Sequence, residues 1–223
     1  MTDLFAYLKD NAYPGRGILA GRYEDQAVLA YFIMGRSENS RNRIFVKDKD
    51  ILFTRAFDES KVADPSLIIY NAIREYEGKI IVTNGNQTDT ILKYLENGST
   101  FEEALQTREY EPDAPNYTPR ISALMHEDGN YQIAILKRKD DNCERLFYDY
   151  AACNGIGHFI STYDHDGNPL PSFSKEPLEI EIREGVESFA ENLWNSLNPD
   201  NRISLYVRFG NKETIFNKNE EQS

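Results

Sequence analysis

Four runs rich in Ile, Val, Phe and Tyr follow one another at residues 17–22, 26–34, 43–47 and 51–57, joined by short polar stretches. Runs of that length and composition read as β-strands, so a chain that begins this way has to build sheets. Further strands are expected at 79–83, 120–125, 131–138, 145–151, 158–163 and 202–209. Helices are expected at 3–10, 88–96, about 100–107 and 186–197. The last of these carries Val186, Phe189, Ala190, Leu193, Trp194 and Leu197 along one face. Ser99 and Glu102 fit a capping box for the helix near 100, and Asn97-Gly98 stops the helix before it. Three prolines make 110–119 an irregular loop, and the polar stretch 211–223 is expected to fray. Neither a composition shift nor an internal repeat divides the chain, so residues 1–210 read as one domain. Many strands with a few amphipathic helices make an α+β protein, in which a sheet pair between helix layers accounts for both.

Charge limits what such a protein can bind. The chain of 223 residues has a formal net charge of -12 and a pI near 4.8, which argues against a nucleic-acid-coating surface. An anionic small molecule needs a local positive pocket that overcomes this field. Candidates for one lie early: residues 16, 22, 36, 41 and 43 are arginine, and Lys9 is the one lysine before position 44. Arginine offers a planar fork of donors suited to phosphate. Residues 35–43, Gly-Arg-Ser-Glu-Asn-Ser-Arg-Asn-Arg, hold three of them directly behind a strand, as either a solvated loop or an anion anchor. Cys143 and Cys153 fit no metal or redox spacing and read as reduced structural thiols. No apolar run reaches membrane-spanning length and the N-terminus is not a signal peptide, so a cytoplasmic protein without membrane partners is expected.

Common site motifs are missing. Gly15, Gly17 and Gly21 have the wrong spacing for a dinucleotide fingerprint and precede a strand. Neither a phosphate-cradling Gly-x-x-x-x-Gly-Lys-Ser/Thr nor a Gly-x-Ser-x-Gly elbow occurs. His126, His158 and His165 are too scattered for a paired metal site, and residues 164–168 read as a turn. Residues 82–91, Val-Thr-Asn-Gly-Asn-Gln-Thr-Asp-Thr-Ile, join a strand to a helix through small polar residues. That junction is either an anion-binding helix start or an ordinary turn capped by Asp89. Tyr70 and Asn71 lie inside the apolar run 68–73, where a tyrosine is either a core anchor or a site residue. Glu109, Glu111, Asp113 and Arg120 put carboxylates and a guanidinium around the proline-rich loop.

Taken together, these segments resemble the archaeal-type IMP cyclohydrolases. The resemblance rests on Tyr13-Pro-Gly-Arg16, Arg36-Ser37 with Asn42-Arg43, Tyr70-Asn71, Asn84-Gly-Asn-Gln-Thr-Asp-Thr-Ile91, Tyr110-Glu111, Thr118-Pro-Arg-Ile121 and Ser161-Thr-Tyr163, in that order. It implies a four-layer αββα fold like that of N-terminal-nucleophile hydrolases, used without self-cleavage. It implies a purine ribotide substrate, a 5-formamidoimidazole-4-carboxamide ribotide that loses water to give inosine monophosphate. No metal or organic cofactor is expected, and oligomeric relatives carry the expectation of a homo-oligomer. On this reading Tyr70 and Glu111 handle protons, Arg36 or Arg43 faces the phosphate or formyl oxygen, and Asn84 and Asp89 position the base or carboxamide. Arg16, Ser37, Asn42, Asn71, Thr88 and Arg120 complete the expected substrate contacts. Two other classes remain open: an amide hydrolase with Thr2 as N-terminal nucleophile, and a non-catalytic purine-nucleotide-binding protein.

Overall fold

Alternation along single strands decides the architecture. In a computed structural model, which describes residues 1–62 and 69–220, strand β2 (Gln26–Met34) is buried on both faces. Val28, Ala30, Phe32 and Met34 enter one core, whereas Leu29, Tyr31 and Ile33 enter another. A strand whose two faces both meet apolar surroundings reads as a continuous apolar run, as β2 does.

β2 sits inside a six-stranded sheet together with β1 (Arg16–Tyr23), β10 (Ile156–Ser161), β11 (Leu178–Glu181), β12 (Arg202–Phe209) and β13 (Lys212–Asn217), in the order β11-β10-β1-β2-β12-β13. The second sheet runs in chain order: β3 (Arg43–Asp48), β4 (Ile51–Ala56), β5 (Asn71–Tyr76), β6 (Lys79–Thr83), β7 (Arg120–Met125), β8 (Tyr131–Lys139) and β9 (Asn142–Tyr150). All neighbouring strands pair antiparallel. The protein is therefore mixed α and β, with two antiparallel sheets and few helices.

Helices α1 (Leu4–Lys9) and α5 (Val186–Ser196) cover the first sheet, with Phe189, Leu193 and Trp194 of α5 in the same core as Phe32 and Leu205. Helices α3 (Gln87–Glu96) and α4 (Phe101–Gln106) cover the second, where Ile91, Phe101 and Leu105 meet Leu124, Ala134 and Leu136. The remaining core, with Ile18, Tyr31, Phe45, Ile121, Ile133 and Tyr206, lies between the sheets. Among the described residues no helix is long and apolar enough to cross a membrane.

Several expectations change. β5 and β11 were not foreseen, nor was the short helix α2 (Glu38–Arg41) within the arginine-rich loop. The capping box of α4 is formed by Thr100 and Glu103, one residue beyond Ser99 and Glu102. Thr100 has the extended backbone of a cap, while Glu102 accepts a hydrogen bond from Gln132. The stretch expected to fray carries β13, whose Phe216 ring stacks on Trp194 at 5.6 Å. Residues 221–223 of that stretch, and Ile68 in the run before β5, lie outside the described residues.

Candidate active site

One end of the sheet pair gathers the charged residues that the core otherwise excludes. β1 begins there at Arg16, β3 at Arg43 and β7 at Arg120, while β2 and β10 end beside them, with Arg16 opposite Ile33 and Gly17 opposite Ser161. Antiparallel pairing explains the convergence within each sheet, because each strand starts beside the end of its neighbour. The loop before β7 adds Glu111, held by its amide to the Thr118 carbonyl at 2.9 Å. Tyr70, immediately before β5, is fixed by its backbone: its N–H donates to Thr54 Oγ1 and its carbonyl accepts from the Thr54 N–H, each at 3.0 Å.

Arg43 is fully buried, at 0% exposure. Its Nε donates to the Ser40 carbonyl at 2.7 Å and its Nη2 to the Met34 carbonyl at 3.5 Å. Arg43 Nη1 and Arg16 Nε are buried without a hydrogen-bond partner among the described residues. Buried guanidinium donors are costly to leave unpaired, so their persistence marks a place built to receive acceptors. Burial pushes the Arg43 pKa down, and the charge of Arg16 pushes the same way. Burial also opposes the charge on Arg16, but Glu111, Tyr163, Tyr13 and Tyr70 outweigh it and leave its pKa above the ordinary value.

The Glu111 carboxylate is buried 3.8 Å from Arg120 Nη1. Burial holds its pKa above the usual carboxylate range, against the opposing pull of Arg16 and Arg120. Arg120 is lowered by burial, despite Glu111. For both partners burial is the leading influence and opposes the charge that their pairing favours. Arg120 also donates to Gln87 Oε1 at 2.7 Å and to the Glu109 carbonyl at 2.8 Å. Gly85 makes room for that contact: a Cβ there would stand 2.6 Å from Arg120 Nη1 and 2.7 Å from Gln87 Oε1.

Tyrosines line the cluster. The hydroxyls of Tyr31 and Tyr70 are 2.6 Å apart. Burial raises the Tyr70 pKa, while Arg43, Arg16 and the Tyr31 hydroxyl pull it back. Burial also pushes Tyr163 up to about 12, opposed by Arg16 and Thr118, and its hydroxyl lies 2.7 Å from Thr118 Oγ1. The Tyr163 ring stacks on Tyr13 at 6.0 Å. Guanidiniums poised around a phenol and a carboxyl can bind an anion and move protons in the same place.

The structure brings together Arg16, Arg43, Tyr70, Glu111 and Arg120, and sets other expected residues apart. Arg36 is exposed, donates to Asp166 Oδ1 at 2.6 Å and to the Gly167 carbonyl at 2.9 Å, and lies over the Tyr13 ring. Ser37 caps α2, and Asn42 exchanges hydrogen bonds with Asp58. Asn84 is buried, but its side chain bonds the Pro119 carbonyl, the Ile121 amide and Gln87, fastening β6 to β7. Thr88 bonds Thr83 and the Gly85 carbonyl. Asp89 lies in the first turn of α3 and does not cap it; the cap position is Asn86, whose side chain makes no capping hydrogen bond and accepts from Arg108 instead. Asp89 accepts from Asn71, which faces α3 because Tyr70 and Ala72 on either side face the inter-sheet core. Thr2 donates its N–H to the Glu179 carbonyl and bridges to Ile180, beside β11 and ahead of α1. Tyr31 and Gln87 were missed: one hides in an apolar strand and the other in a run of small polar residues. Tyr13, Thr118 and Tyr163 were visible within the quoted motifs, yet were not picked out as site residues.

The sequence model of a family described as "IMP cyclohydrolase-like protein" matches residues 13–214. The chain is 30% identical over 185 residues to an IMP cyclohydrolase of Methanocaldococcus jannaschii, covering 80% of this chain and 88% of that protein. It is 27% identical over 158 residues to an IMP cyclohydrolase of Methanosphaera stadtmanae, covering 69% and 75%. An IMP cyclohydrolase of Methanopyrus kandleri is 37% identical over 117 residues, covering 50% and 58%.

Proposed function

The chain belongs to the IMP cyclohydrolase-like family, and from that premise we propose that it closes the purine ring, with the cluster around Arg16, Arg43, Tyr70 and Glu111 as its active site. The observation that carries the assignment of the site is the pair of buried donors without a partner among the described residues, Arg16 Nε and Arg43 Nη1, near a phenol and a carboxyl. The helix, sheet, sheet and helix packing supports the four-layer αββα reading and its likeness to N-terminal-nucleophile hydrolases. Thr2, ahead of α1, plays no part in this chemistry.

The substrate is a 5-formamidoimidazole-4-carboxamide ribotide. Its carboxamide nitrogen attacks the formyl carbon, forming the C–N bond and passing one N–H proton to the formyl oxygen by way of the site. The carbinolamine then loses its hydroxyl as water, taking a second proton, while the formamido nitrogen gives up its proton to form the C=N bond. Both reacting groups are tethered on one ring, so the site has to fix their rotamers and move protons. Tyr70 and Glu111 do the latter, a form of assistance typically worth about 10²–10⁴ in rate. The guanidiniums of Arg16 and Arg43 take the phosphate or the developing charge on the formyl oxygen, and a preorganised donor there adds about 10²–10³. Arg120, itself bonded to Gln87, holds Glu111 in place.

Tyr70→Phe and Glu111→Gln test these roles. Each variant is expected to fold, as judged by an unchanged circular-dichroism spectrum, and to lose at least about tenfold in turnover of the formylated ribotide. Wild-type turnover in both variants would remove the proton roles.

A further inference from the structure

Tyr31 belongs to neither the arginine loop nor any segment that suggested a site, and its place on the central strand β2 makes it look like core. Its geometry says more. Tyr31 stands on the six-stranded sheet and Tyr70 at the start of β5 in the seven-stranded sheet, so the 2.6 Å contact between their hydroxyls crosses the gap between the sheets. Its ring is stacked on Phe45 at 5.4 Å, which fixes where its hydroxyl oxygen sits. We propose that Tyr31 is a positioning residue for ring closure: its hydroxyl donates across the sheet interface to Tyr70 Oη, aiming that oxygen and stabilising it while its own proton is away. This rests on the proton role given above to Tyr70.

Direction of donation follows from the surroundings. The groups facing Tyr70 are Arg43 from β3, Arg16 from β1, Tyr31 from β2 and Glu111 from the loop before β7. Burial is the largest influence on Tyr70 and opposes its ionisation, as does Glu111, while both guanidiniums and the Tyr31 hydroxyl favour negative charge on its oxygen. For Tyr31, burial and the neighbouring Tyr70 oppose ionisation, with only partial relief from Arg16 and Arg43. Of the two phenols Tyr70 is the one that also faces the Glu111 carboxyl, so in this proposal Tyr70 gives its proton up and Tyr31 keeps its own and donates it. In a low-dielectric gap a donor to a charged oxygen is worth more than one between neutral groups.

The test is Tyr31→Phe in the full chain, which keeps the ring against Phe45 and removes one oxygen. The expected result is a fall in kcat of about tenfold or more with KM little changed. The phenol limb of the kcat–pH profile should also move upward by about one pH unit, since the pair titrates together. In a double-mutant cycle, Tyr70→Phe should cost much less in the Tyr31→Phe background than in the wild type, because one residue acts through the other. An unmoved limb or additive losses would overturn the inference, even with kcat reduced, since a packing role alone would produce that. If Tyr31→Phe does not fold, 3-fluorotyrosine incorporated at position 31 supplies a more acidic donor of nearly the same shape. The limb should then move to lower pH, and an unmoved limb would again overturn the proposal. Full turnover in Tyr70→Phe sinks the underlying role of Tyr70. An impaired Tyr70→Phe beside a Tyr31→Phe with wild-type rate and limb sinks only the role of Tyr31.

Discussion

Arg43 shows what single residues contribute here and what they cost. Burial and the charge of Arg16 both work against its own charge, and one of its donors has no partner among the described residues. A residue kept under those conditions is expected to trade stability for function. Arg43→Met should therefore lose at least about tenfold in turnover while its melting temperature stays level or rises, since removing the charge relieves desolvation and like-charge repulsion. Arg36→Met should change turnover by less than about threefold, because that side chain is exposed and engaged with Asp166. Kinetics and thermal melts on both variants check the contrast, and a larger loss in Arg36→Met would reverse the assignment. At this scale the sequence was only partly legible. Residues 35–43 announced an anion-binding composition, yet which arginine turns inward depends on α2, whose short turn leaves Arg36 and Arg41 outside and lets Arg43 open β3. The Tyr31–Tyr70 bond joins residues 39 positions apart on different sheets, and no local pattern encodes it.

Periodicity was a good guide to elements wherever a segment met one core on each face. β2, β7 and β8 read as strands because their alternate residues fill two different apolar regions. β5 was hidden because Arg74, Glu75 and Tyr76 at its far end are only partly buried and break the apolar run. The α4 cap slipped by one because Ser99 with Glu102 and Thr100 with Glu103 satisfy the same spacing, and only backbone geometry selects the second. β13 looked like a polar tail because its stability comes from outside itself, from Trp194 beneath Phe216 and from one amide. That amide, Asn217, accepts from the Phe45 N–H at 2.8 Å and donates to the Phe45 carbonyl at 2.9 Å, joining β13 of one sheet to β3 of the other. Asn217→Ala would strand both buried backbone groups and should cost about 2–4 kcal/mol in urea unfolding. Because Phe45 carries the Tyr31 ring, turnover should fall with it; a loss below about 0.5 kcal/mol would show that the clamp is idle.

Across the whole molecule, the net charge of -12 and the buried arginines answer each other. Within a chain that is acidic overall, the arginine-bearing starts of β1, β3 and β7 concentrate positive charge at one end of the two sheets. Antiparallel topology makes this possible, since it returns every second strand to the same edge and lets residues 16, 43, 70, 111 and 120 meet. Composition pointed to the need for a local positive pocket, and the family resemblance supplied its chemistry. Its position followed only from the register of the strands. The most direct measurement is incubation of the purified chain with 5-formamidoimidazole-4-carboxamide ribotide, following inosine monophosphate by chromatography. Inosine monophosphate should form catalytically, in many equivalents per chain, and formation should be suppressed in Tyr70→Phe. Binding of the ribotide without formation of inosine monophosphate would contradict a ring-closing enzyme and leave a nucleotide-binding protein on the same scaffold.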